Sequence, residues 1–193
     1  MSTVITSKLK GVVENNYNIL VSGATHTSYP GTIIQVQTIR SDAKLTYASA
    51  TTGDGTTISA VGLSITPKYS NSMLLMRWQL CGELYENNVF LLHRDGVLIT
   101  DSGYAGYNAT AGNNRWSGFV PPYYDGDQNS TPAAYKIQYF IPAGSTSSRT
   151  YAPAVRAARS TAYTFYLNRT QGSTGADNYE QTVSTGIIME IAA

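Results

Sequence analysis

Residues 69–100, YSNSMLLMRWQLCGELYENNVFLLHRDGVLIT, hold the pattern that most narrows what this chain can fold into. Across residues 73–81 the side chains alternate. Leu74, Met76, Trp78 and Leu80 fall on one face, Arg77 and Gln79 on the other. A period of two over that length marks a strand with one buried face. Shorter apolar runs follow at residues 89–92 and 97–99, separated by Arg94-Asp95-Gly96. Asp-Gly accepts the positive φ angles of a type I′ turn, so these two runs are expected to form a hairpin. All three strands are read as the centre of one antiparallel sheet.

The rest of the composition agrees with that reading. The chain has 193 residues, enough for one large domain with a substantial core. It contains 15 Tyr and 17 Gly, with Thr, Ser and Asn filling the intervals, a β-rich palette poor in strong helix formers. Charged residues make up 13% and the formal net charge is +1, which gives no electrostatic case for nucleic acid or an anionic membrane as main partner. The single cysteine, Cys81, excludes an intrachain disulfide and is read as a small buried side chain at a strand end. No stretch is as long and apolar as a transmembrane helix, and the first residues lack the apolar core of a secretory signal. Synthesis in the cytoplasm is therefore expected, with any delivery outside by other means.

Residues 1–29 are expected to be a separate arm and linker. Val4-Ile5 and Val12-Val13 alternate with polar residues and would form short strands that cannot bury their own surface, so they are read as lying on a partner chain or a larger assembly. Residues 30–193 are the domain proper. Strands are expected at 32–38, 43–49, 56–66, 115–120, 134–141, 151–155, 162–168 and 185–191, besides the central three. Polar or Gly-rich loops separate them at 101–112, 123–131 and 171–178. Short strands at this spacing indicate an all-β antiparallel sandwich, jelly-roll-like.

The segments PGTIIQVQTIRSD, GLSITPKYSNSMLLM, VFLLHRDG, YLNRT and STGIIMEIAA together resemble a domain common in bacteriophage tail-fibre and virion appendage proteins. The resemblance spans residues 30–193. It implies a jelly-roll-like head that assembles as a homotrimer on a virion and attaches to other virion proteins through the N-terminal region. The short N-terminal part favours a compact appendage, a fibre tip or a capsid decoration over a long shaft. No catalytic residue follows from the resemblance.

Other motifs have plainer readings. His93-Arg94-Asp95 matches the start of a kinase catalytic loop, but Thr100 stands where that motif needs Asn, and the hairpin already accounts for Asp95-Gly96. The 2 histidines, His26 and His93, lie far apart in sequence, and His93 is read as a strand residue. Asp125-Gly126-Asp127-Gln128-Asn129 opens like a calcium loop but lacks the later Gly and Glu, so a polar turn is expected. Asn108, Asn129 and Asn168 begin glycosylation sequons by chance. Signatures of serine hydrolases, zinc proteases and phosphate-binding loops are absent, and nothing selects a carboxylate pair for glycoside hydrolysis. No catalytic residue, metal or cofactor is expected.

The long loops carry the candidate ligand-binding residues Tyr104, Tyr107, Asn108, Tyr123, Tyr124, Asp125 and Asp127. Flat aromatic faces stack on sugar rings, and Asn and Asp side chains bond hydroxyls. The competing reading is core or trimer-interface packing, which is favoured for nearby Trp116. The expectation is a non-enzymatic virion protein, a tail-fibre or fibre-tip appendage recognising host surface polysaccharide. Its alternatives are a capsid decoration, cement or head-spike protein and, from another class, a glycan depolymerase.

Overall fold

A computed structural model describes residues 30–85, 87–99, 119, 132–158, 161–172 and 180–193. These residues form two antiparallel sheets packed face to face, the all-β sandwich expected. The first sheet contains β1 (Ile33–Ser41), β2 (Leu45–Ala48), β5 (Met73–Glu83), β8 (Ala133–Pro142), β10 (Thr164–Leu167) and β11 (Ser184–Ile191). The second contains β3 (Thr56–Thr57), β4 (Leu63–Ile65), β6 (Asn88–Arg94), β7 (Val97–Leu98) and β9 (Arg149–Ala157). The expected N-terminal arm and the loops at 101–112 and 123–131 lie outside the described residues. Of the strand expected at 115–120 only Phe119 is described, and it bridges Phe90.

The strand β5 behaves as its alternation requires. Leu74, Met76, Trp78 and Leu80 are buried while Arg77 and Gln79 are exposed. Strand β8 runs along the whole of one edge of β5, from Met73↔Pro142 to Gly82↔Ala133. The other edge is divided. Strand β11 takes Met73 to Gln79, and β10 takes Gly82 and Glu83. Strands β1 and β2 continue the sheet beyond β11 and β10.

Asn168 sits at the branch. Its own N–H donates to the Cys81 carbonyl at 2.8 Å, and its side-chain amide donates to the carbonyls of Ser41 at 2.9 Å and Ala43 at 3.0 Å. Its Oδ1 accepts from the Ser184 hydroxyl at 2.7 Å, and that hydroxyl accepts the Cys81 N–H at 2.9 Å. Asn168 adopts φ 57°, a left-handed conformation that Asn tolerates better than most residues. This completely buried amide is fully engaged, so the Asn168 sequon has a structural use and no exposed nitrogen.

Two expectations need correction. The hairpin does not share a sheet with residues 73–81: β5 lies in the first sheet, β6 and β7 in the second. The apolar faces of β5 and β6 are buried by packing against each other across the sandwich, with Phe90 and Leu92 in the same core as Leu74 to Leu80. The turn itself is as read, with Asp95 at φ 55° and Gly96 at φ 81°. Asp95 also accepts the Thr150 N–H at 2.8 Å and the Arg149 guanidinium at 2.9 Å, which hold its carboxyl below the usual range.

The second correction is that residues 56–66 are not one strand. They divide into β3, a 3-10 turn at Ser59–Val61, and β4, and both strands pair with β9. The cause lies on β9. Pro153 turns its carbonyl toward this edge, where it accepts the Ile58 N–H at 2.8 Å, and proline has no N–H to donate back. The ladder therefore lapses between Ala154 and Tyr151, and the partner chain bulges into a turn.

That turn meets Trp78. The indole Nε1–H donates to the Val61 carbonyl at 2.9 Å, so a strand of one sheet holds the turn of the other. Gly186, opposite Trp78 on β11, leaves room for the ring. A Cβ there would stand 2.5 Å from it. Phe90, Tyr135 and Phe165 add an aromatic cluster across the same interior, with ring centres 5.1 to 5.9 Å apart.

Replacing Trp78 by Ala should cost about 3–5 kcal/mol in urea unfolding. Gly186→Ala should cost about 1–3 kcal/mol through overpacking. In the Trp78→Ala background most of the Gly186→Ala cost should vanish, because the atoms that clash are gone. Additive losses would refute the contact as its origin.

Candidate functional site

The residues singled out from sequence, Tyr104, Tyr107, Asn108, Tyr123, Tyr124, Asp125 and Asp127, all lie outside the described residues. His93, by contrast, is described and is structural. It is 2% exposed, with the Thr57 hydroxyl 2.7 Å from Nδ1 and the Asp54 carbonyl 2.9 Å from Nε2. Among the described residues no three His, Cys, Asp or Glu side chains are placed to hold a metal ion, and no helix is long and apolar enough to cross a membrane.

The largest feature the described residues offer to a partner is the outer face of the first sheet. Registers across β1, β11, β5 and β8 place outward side chains in four rows. One end of the face is polar. Arg40, Thr185, Gln79 and Lys136 make the first row; Thr38, Ile187, Arg77 and Gln138 make the second. The other end is apolar, with Val36, Met189, Leu75 and Phe140 in the third row and Ile33, Ile191, Met73 and Pro142 in the fourth. Ile33, Val36 and Phe140 are 53%, 45% and 47% exposed, so this end is not a margin of the core. A shallow groove of about 620 Å³ crosses the polar end.

A smaller pocket of about 260 Å³ opens between the end of β5 and the start of β10. Tyr85 and Tyr163 line it but stack on each other at 4.6 Å, and Arg169 lies 5.2 Å from the centre of the Tyr166 ring. Buried Glu83 beside them accepts the Gln171 N–H at 2.8 Å. These aromatic faces are thus already partly used within the chain.

Beneath the apolar end, Glu190 is fully buried on the inner side of β11. Its carboxylate accepts from Gln35 at 2.6 Å, from the N–H groups of Lys68 at 2.8 Å and Tyr69 at 3.1 Å, and from the Ser72 hydroxyl at 2.7 Å. The segment it grips joins β4 to β5, the crossing from one sheet to the other. Burial alone pushes the carboxyl up, but the Gln35, Lys68, Ser72 and Tyr69 donors outweigh it and leave Glu190 below its ordinary value. Nothing about Glu190 stood out in the sequence beyond its place in a terminal strand.

The chain matches no family model and no curated protein sequence.

Because the Glu190 carboxyl titrates lower in the folded chain than in the unfolded one, its contribution is full above the unfolded value of 4.5. It should be lost as pH falls from there through the folded value. Glu190→Gln should cost about 1–3 kcal/mol at neutral pH, since an amide NH₂ would face backbone donors. It should also flatten the acid limb of a stability–pH curve. An unchanged acid limb would exclude Glu190 as a source of acid lability.

Proposed function

We propose that this chain is a non-enzymatic structural protein of a bacteriophage virion, a tail-fibre or fibre-tip appendage. Its sandwich associates as a homotrimer, its first 29 residues attach to other virion proteins, and the body recognises polysaccharide on the host surface. The observation that carries this reading is the apolar end of the outer sheet face. Eight side chains in two rows, from Ile33 to Pro142, lie together on a surface that a lone chain leaves to water. Patches of this kind mark surfaces of association. Copies of the same chain are the natural occupant, because these eight side chains carry no charge that self-association would have to bury. The resemblance of residues 30–193 to virion appendage domains supports a threefold arrangement. The non-enzymatic reading is supported by the buried carboxylate of Glu190, which is committed to the N–H groups of Lys68 and Tyr69 and to the side chains of Gln35 and Ser72.

Light scattering on the full chain at micromolar concentration should return three times the chain mass. Phe140→Asp combined with Val36→Asp should yield a folded monomer, since both side chains point away from the core. A chain beginning at Pro30 should still trimerise but fail to enter particles. A monomeric parent chain would overturn the assembly reading, and normal incorporation of the shortened chain would move attachment to the sandwich.

A further inference from the structure

The polar end of the same sheet face has a composition that folding does not require. Arg40, Arg77 and Lys136 stand exposed on β1, β5 and β8, and cross-strand register gathers them within two adjacent rows. Among the described residues no carboxylate lines the groove between them. The acid paired with any of the three is Asp42, 3.8 Å from Arg40 in a pair open to solvent on both sides. Three like charges on one face raise the local positive potential, and an anion that joins them relieves their mutual repulsion.

The groups between the cations narrow the kind of anion. The Nε of Arg77 donates to Gln138 Oε1 at 2.7 Å, which fixes the guanidinium across the β5–β8 pair and leaves its Nη groups for a ligand. A guanidinium held in this way matches a carboxylate in two-point geometry. Gln79 and Thr185 lie in the row between Arg40 and Lys136 and offer amide and hydroxyl groups at the spacing of neighbouring strands. Amides and hydroxyls suit sugar hydroxyls. The two polar rows contain no aromatic ring on which a base could stack, and three cations could neutralise only about three phosphates, a weak hold on a nucleic acid.

From this juxtaposition we infer that the groove of Arg40, Arg77 and Lys136 binds a carboxylated polysaccharide, with Gln79, Gln138 and Thr185 contacting its hydroxyls. The inference deepens the surface-recognition reading above and depends on it for the biological source of the glycan. Binding itself can be measured on the purified chain, with no particle present.

Calorimetric titration of the full chain with polygalacturonate at low salt should show binding that weakens as sodium chloride is added, while neutral dextran should not bind. Arg77→Gln and Lys136→Gln should each reduce polygalacturonate affinity about tenfold, the loss of one charge-assisted contact. Arg149→Gln removes the same charge from the opposite sheet and should leave affinity unchanged, which separates a site from net charge. Arg77 and Lys136 are exposed, so the unfolding midpoints of their variants should stay near the parent value. Absence of binding, equal losses from all three substitutions, or tighter binding of duplex DNA than of polygalacturonate would each overturn the inference. A monomeric chain that still binds polygalacturonate would overturn only the assembly reading. A trimer that does not bind it would overturn only this one.

Discussion

Strand β5 has to satisfy one backbone edge with two different strands, and the fold depends on how that edge is shared. Two strands in line along one edge must part somewhere, and where they part backbone groups lose their ladder partners. Buried and unpaired, each would cost about 1–3 kcal/mol. Asn168 fills that gap with one side chain and its own backbone, reaching β5, β11 and the turn after β1 at once. With the branch satisfied, the six strands make a sheet four across, in which β1 and β2 lie end to end as a nearly continuous outer margin. The four strands β1, β11, β5 and β8 carry the four rows of the outer face.

Two further contacts hold the sheets in one relation. Trp78 reaches from the first sheet to the Val61 carbonyl in the second, and Glu190 takes hold of the segment that crosses between them. Both residues point inward from strands whose neighbouring positions point out. Rigidity on the inside therefore fixes the spacing of Arg77, Gln79, Ile187 and Met189 on the outside. The surface is a by-product of the core in its geometry, though not in its chemistry.

Alternation makes the inward and outward residues of β5 legible from sequence, because a period of two leaves no third choice for a half-buried strand. It does not say which sheet a strand joins, and so does not distinguish a β6–β7 hairpin beside β5 from one across the sandwich. The interruption between β3 and β4 was hidden for another reason: its cause, Pro153, lies on a partner strand far along the chain. The cationic groove was equally out of reach. Arg40, Arg77, Lys136 and Thr185 come from four separate strands, and only register brings them together. Local composition marks the tyrosine-rich loops, which lie outside the described residues, but is blind to sites assembled by register.

The first and last described residues meet at one corner. The Gly31 N–H donates to the Ala192 carbonyl at 2.8 Å, and the Ala192 N–H donates to Thr32 at 2.9 Å. That corner adjoins the row of Ile33 and Ile191. Arg40 lies seven residues up β1, roughly 23 Å away at the rise of an extended strand. If the chain before Pro30 is the attachment proposed above, the greasy rows sit against the point of suspension and the cationic rows lie at the far end of the same sheet face.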